Sequence, residues 1–142
     1  MKRYEFLEHV SDAYIAAYGK TLEEAFQNAA EAMFQTMIET RTVAVTLEET
    51  VAAEGHDREE LLYNWLETLL LKFDTEGKVY REFEIEKIEQ RNSKFVLKAK
   101  IRGEPYDAKK HKPKVEVKAV TYHQMEIKEQ KGGYELKFIL DL

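Results

Sequence analysis

Cysteine is absent from this 142-residue chain, which excludes disulfides, thiolate metal sites and thiol nucleophiles. No apolar run approaches the roughly 20 residues a membrane span needs, so no membrane partner is expected. The opening residues, Met1-Lys2-Arg3-Tyr4-Glu5, lack the apolar core of a signal peptide and pass straight into strand-like sequence, which predicts a cytoplasmic protein. Serine occurs only at Ser11 and Ser93, neither in a nucleophile-elbow context. The one double glycine, Gly132-Gly133, lacks the G-x-x-x-x-G-K-S/T pattern of a phosphate-binding loop. Positive charge is also short, the formal net charge being −5. Phosphate neutralisation supplies most of a nucleic-acid binder's affinity, so stable direct nucleic-acid binding is not expected. Repeats, low-complexity tracts and long linkers are missing too.

What is present reads as alternating strands and two strong helices. Residues 4–7 and 13–18 read as strands joined by a polar connection at 8–12. Thr21 with Glu24 forms a capping box, and Leu22, Ala25, Phe26, Ala29, Met33, Phe34 and Met37 recur at helical spacing. Residues 42–53 alternate, with Val43, Val45, Leu47 and Val51 on one side. Asp57 and Glu60 mark a second helix start, whose stripe is Leu61, Leu62, Trp65, Leu66, Leu69, Leu70 and Phe73. Three strands are then expected as an antiparallel meander: 79–89, 95–102, and a long one from Lys114. In the last, Val115, Val117, Ala119, Thr121, His123, Met125 and Ile127 form a core face opposite Glu116, Lys118, Val120 and Tyr122. A turn at Gly132-Gly133 and a strand from Tyr134 close the chain. The expectation is an α+β fold, a largely antiparallel sheet packed with two helices, as one domain over 1–142 with residues 42–77 as a strand–helix insertion.

Three constellations carry chemistry. Asp12, Asp141 and the terminal carboxylate of Leu142 converge if the first and last strands are neighbours, and oxygen groups of this kind suit a hard divalent cation. The competing reading is two unrelated surface aspartates and a solvated terminus. His9 and His123, helped by Lys118, could bind a transition metal or move protons. A hydrogen-bonded core histidine and a Lys118–Glu116 ion pair are the plainer alternative. The basic run Lys109-Lys110-His111-Lys112-Pro113-Lys114 reads either as a solvated loop or as an RNA-binding patch.

Glu8-His9-Val10-Ser11-Asp12 resembles the E-H-T-A-D signature of the archease family, departing at Val10 and Ser11. Val117-Lys118-Ala119-Val120-Thr121-Tyr122-His123 resembles its second signature, and Asp141-Leu142 its acidic, aliphatic ending. Gly103-Glu104 and His111 have counterparts between them. The resemblance covers the whole chain. It implies an accessory protein rather than an enzyme: an activator of the GTP-dependent, RtcB-type RNA ligase of tRNA splicing. Such a protein promotes guanylylation of the ligase's active-site histidine, supports multiple turnover and broadens NTP specificity. It implies a metal site, calcium first with magnesium or manganese as alternatives, on Asp12, Asp141 and Leu142, with Lys118, His9 and His123 in supporting roles. A general chaperone, or a modulator of an RNA-processing protein such as a tRNA methyltransferase, is the alternative.

Overall fold

The computed structural model of the chain describes residues 2–8 and 11–142. Two antiparallel sheets enclose the helices. The first sheet runs β1 (Tyr4–Leu7), β2 (Ala13–Gly19), β8 (Gly133–Asp141), β6 (Ala119–Val120), with β7 (Glu126–Gln130) also paired to β8. The second runs β3 (Leu47–Gly55), β5 (Lys94–Pro105), β4 (Lys78–Arg91). No helix among the described residues is long and apolar enough to cross a membrane.

α1 (Leu22–Met37) starts where the sequence says it must. The Thr21 hydroxyl accepts the Glu24 N–H at 3.1 Å, and the Glu24 carboxylate reaches back to the Lys20 N–H at 3.1 Å. It packs on β2 and β8 from one sheet and β4 from the other. Ala25, Phe26, Ala29, Ala30, Met33 and Phe34 are all inaccessible to solvent. α2 (Arg58–Glu76) is capped in the same way by Asp57 and ends at Gly77, whose φ of 63° is left-handed. The Trp65 indole N–H donates to the Phe26 carbonyl at 3.0 Å, tying the two helices through the core. The α+β architecture, the antiparallel pairing and both long helices are as the sequence leads one to expect; a single turn, α3 (Ala108–His111), is added.

Three expected strands are corrected. The segment expected to be extended from residue 42 opens instead as a 3-10 turn, Thr40–Thr42, and β3 begins only at Leu47. Turn hydrogen bonds to Glu39 and Thr40 carbonyls hold residues 42 and 43, while the Glu104 carboxylate takes the Ala44 N–H at 2.8 Å. Val43 is buried as a result and Val45 is 41% exposed, so the two do not share a face.

The meander stops at two strands. β4 and β5 form a hairpin, but the other edge of β5 is taken by β3, and the chain leaves through α3 to the first sheet.

The long strand expected from Lys114 is broken. β6 pairs Val120 with Leu140 and β7 pairs Glu126 with Lys137, so five residues, 121–125, stand opposite two, 138–139. The extra length folds into a turn in which the Met125 N–H bonds the Tyr122 carbonyl at 3.1 Å and Gln124 takes a φ of 55°. Val117 and Val120 are buried, three positions apart, whereas Val115 is 48% exposed and His123 is exposed. The period-2 face does not exist there, because register along β8 and burial against α2 decide the path of this segment.

A carboxylate tip at the end of the first sheet

The last strand, β8, neighbours the second strand, β2, rather than the first as expected, and the last β2–β8 pair is Ala13 with Leu140. Asp12 and Asp141 are therefore the next residues on adjacent strands at the same end of the sheet. β6 lies on the far side of β8, where Ala119 pairs with Asp141 and the Lys118 N–H donates to the Asp141 carbonyl at 2.7 Å. Leu142 follows, half-buried against the core edge. Three strand ends thus bring Asp12, Asp141, Leu142 and Lys118 to one tip. The Asp141 carboxylate and the Lys118 ammonium are both exposed, and neither makes a hydrogen bond or ion pair among the described residues. The Lys118–Glu116 ion pair is not formed.

The two histidines behave differently. His9 lies outside the described residues. His123 sits on the exposed turn after β6, not on a core face, and no hydrogen bond links it to Asp141 or Lys118.

Among the described residues no group of three or more His, Asp or Glu side chains could hold a metal ion. An ion at the tip would rely on two aspartates and the main-chain oxygens of Leu142. An all-oxygen set with few protein ligands fits a hard cation that keeps several waters, and does not fit a soft transition metal.

Glu104 and His111, singled out in the sequence only through the family resemblance, join in a second polar centre that no reading of the residues foresaw. Glu104 is the penultimate residue of β5 and His111 ends α3, the histidine wholly buried. The Asp107 N–H donates to His111 Nδ1 at 3.0 Å, which leaves the ring proton on Nε2, and that N–H meets Glu104 Oε2 at 2.7 Å. Lys110 Nζ reaches both oxygens of the same carboxylate, at 2.9 and 2.8 Å, and the Ala44 N–H completes its shell. The Lys110 ammonium, the Ala44 N–H and His111 outweigh burial and hold the Glu104 carboxyl down at about 2. Nothing in residue spacing announces this centre: Ala44 and Glu104 are 60 positions apart. Its effect is to fix the start of the 112–118 segment that carries Lys118 to the tip. The basic run is neither plain solvated loop nor uniform patch. Lys110 and His111 are bound to Glu104, and Lys114 reaches the Gln35 carbonyl and Glu39, while Lys109 and Lys112 are exposed.

Comparison with known proteins is uniform. Residues 4–142 match the model of the Archease protein family (MTH1598/TM1083). "Protein archease" of Pyrococcus furiosus is 44% identical over 133 residues, covering 94% of this chain and 93% of that one. "Protein archease" of Sulfurisphaera tokodaii is 40% identical over 142 residues, covering both chains completely. The solution structure of Methanobacterium thermoautotrophicum protein 1598 superposes with a TM-score of 0.87 at 40% identity over the whole of both chains. A Thermotoga maritima protein described as an archease, possible chaperone, shares the fold at a TM-score of 0.61 and 15% identity, over 97% of this chain and 96% of that one.

Proposed function

The chain belongs to the archease family, and from that premise we propose that it is a non-catalytic activator of an RtcB-type RNA ligase. It promotes guanylylation of the ligase, supports multiple turnover and broadens NTP specificity, in the cytoplasm where that partner works. The observation that carries the reading is the tip itself: two carboxylates and an ammonium gathered by three strand ends, with the Asp141 and Lys118 side chains left unengaged among the described residues.

Asp12, Asp141 and the main-chain oxygens of Leu142 would hold a divalent cation, calcium first, with magnesium or manganese as alternatives. Bound there, the ion supplies positive charge for a nucleotide's phosphate oxygens. Guanylylation depends on positioning a triphosphate in line with a histidine, so a partner that fixes charged groups near the phosphates lowers the barrier without joining the chemistry. Asp12 and Asp141 set where charge stands, and Lys118 extends an ammonium towards the same phosphates. His9, adjacent in sequence, and His123, on the exposed turn, stand as supporting groups that meet the ligase. The net charge of −5 favours approach to a basic RNA- and GTP-binding cleft.

The test is ligase guanylylation by labelled GTP at limiting ligase, with the parent protein and with its folded Asp12→Ala, Asp141→Ala and Lys118→Ala forms. Stimulation by the parent with at least about a tenfold loss in the aspartate variants supports the tip, a loss of that order being usual for groups that position a metal. Equal stimulation by all forms moves the contact surface elsewhere. The chaperone reading, which the Thermotoga relative's description favours, predicts several unrelated clients, a tRNA methyltransferase among them, and indifference to both aspartate changes.

A further inference from the structure

Tyr122 lies in the turn that interrupts the strand along β8, and its ring rests flat on that of Tyr63 in the first half of α2. The centroids are 4.3 Å apart and the planes 7° from parallel. Two of the core's aromatic pairs take the edge-to-face geometry that ring quadrupoles favour, Phe34–Tyr80 at 83° and Trp65–Phe83 at 85°, and Phe34–Phe83 is tilted at 30°. The surface pair instead makes a broad, flat π platform. Tyr122 is 51% exposed and Tyr63 half-buried, and neither hydroxyl makes a hydrogen bond among the described residues. The platform is stiff. The Tyr122 carbonyl accepts the Met125 N–H, and the preceding Thr121 donates both its N–H and its hydroxyl to the Ile139 carbonyl at 3.2 and 3.0 Å.

Carboxylates lead the first turn of α2, the helix that carries Tyr63. Glu60 lies three positions before Tyr63 on the same face of α2, and Asp57 caps the helix a turn earlier. Burial first, then Glu60, Tyr63 and Asp57, push the Tyr122 hydroxyl above its ordinary range. Glu60 is held low by hydrogen bonds from His56, so it is anionic. The nearest cation on the helix is turned away, Arg58 lying over the rings of Phe95 and Tyr134. No lysine or arginine pairs with Asp57, Glu59, Glu60 or Glu67 among the described residues.

The geometry points to a docking site for an arginine side chain presented by a basic partner protein, its guanidinium stacked on the open ring of Tyr122 and met by Glu60 and Asp57. A guanidinium is planar, weakly hydrated and keeps its N–H donors in the ring plane when it stacks, so one group satisfies platform and carboxylates together. An ammonium is a compact point charge that gains nothing from flatness. A nucleobase stacks as well, but each brings a phosphate into a field of carboxylates that repels it. Aromatic residues that anchor arginine are common energetic centres of protein interfaces. The inference goes beyond the ligase reading and does not depend on it.

The test needs no ligase. Capped tetra-arginine, capped tetra-lysine and a uridine tetranucleotide are titrated into the full chain at near-physiological salt, with the ring resonances of Tyr63 and Tyr122 followed by NMR. Tetra-arginine should bind about three- to fivefold more tightly than tetra-lysine, because only the planar guanidinium can stack on the ring while its in-plane N–H groups meet the carboxylates, and should shift the Tyr122 ring. Tyr122→Phe should keep that preference and Tyr122→Ala should abolish it. Glu60→Gln, which leaves the stack in place, should weaken both peptides. Equal affinity for the two peptides, an unmoved Tyr122 ring, or tighter binding of the oligonucleotide overturns the proposal. Should Tyr122→Ala fail to fold, the peptide comparison on the parent chain and on Glu60→Gln still decides.

Discussion

The molecule has two acidic centres, and they are opposites. At Glu104 both oxygens of a buried carboxylate are engaged, by Lys110, His111 and the Ala44 N–H. At the tip, Asp141 stands exposed at a strand end with its side chain unengaged among the described residues, beside Asp12 on the next strand. The first arrangement is what a fold does with a charge it must keep inside, satisfying each lone pair locally. The second is what remains when strand ends bring charges together at a solvent-facing edge, with the Asp141 carboxylate left to solvent or to a ligand. The first serves stability, and the second is the one we propose for binding.

The sharpest way to break that contrast is to remove each carboxylate and measure unfolding. Glu104→Ala strands the buried His111 Nε2 proton and the Ala44 N–H, and should cost about 3 kcal/mol in a denaturant melt, the range for breaking a buried, hydrogen-bonded pair from one side. Asp141→Ala should change stability by less than about 0.5 kcal/mol. Its effect should appear instead on addition of calcium. A site that binds only the folded state raises stability by about 2.7 kcal/mol at a hundredfold excess over its dissociation constant, and Asp141→Ala should lose that gain. Equal calcium stabilisation of parent and variant would remove Asp141 from the metal site.

Next in size is the response to acid. The folded Glu104 carboxyl is held at about 2, below the ordinary carboxylate range. A depressed carboxyl contributes stability that is full above its unfolded pKa, near 4.3, and that disappears as pH falls towards about 2. Glu39 sits at about 2 as well, held there by Arg41 and Gln35, so the parent curve alone does not isolate either group. The difference in stability between the parent and Glu104→Gln should therefore shrink as pH drops from 5 towards about 2. A difference independent of pH across that window would mean that the hydrogen bonds, not the charge, are what Glu104 contributes.

How much of this was readable beforehand follows from where each feature's cause lies. The helices were readable because their causes are local: Thr21 with Glu24 and Asp57 with Glu60 cap within four residues, and the apolar stripes repeat at 3.6. The β4–β5 hairpin was readable for the same reason, its turn at Asn92-Ser93 joining two alternating runs. The break at residues 121–125 was not, since β-branched composition marks extended chain but says nothing of how many residues face each position of β8. The Glu104 centre was only half legible: the resemblance pointed to Glu104 and His111, but the turn that brings Asp107, Lys110 and His111 back to Glu104 follows no periodicity, and Ala44 comes from 60 positions away. The tip lay between these cases. Asp12 precedes one strand and Asp141 ends another, so a single correct guess about strand neighbours places them together.

The smallest expected effect tests how the two centres are connected. The 112–118 segment leaves the buried centre and delivers Lys118 to the tip, and two kinds of contact pin it on the way. The Lys114 N–H donates to the Met37 carbonyl at 2.8 Å at the end of α1, and the Lys114 ammonium reaches the Gln35 carbonyl at 3.0 Å and Glu39 at 3.4 Å. Lys114→Ala removes only the second kind. Exposed ion pairs contribute about 0.2–1 kcal/mol, so the variant should melt within about 0.5 kcal/mol of the parent and stimulate the ligase fully. If it melts normally yet stimulates poorly, the side chain of Lys114 holds the segment in place, and the tip depends on the inner centre through that contact. If both are normal, the backbone bond to Met37 suffices, and the two centres are independent parts joined by a strap whose path is set by main chain alone.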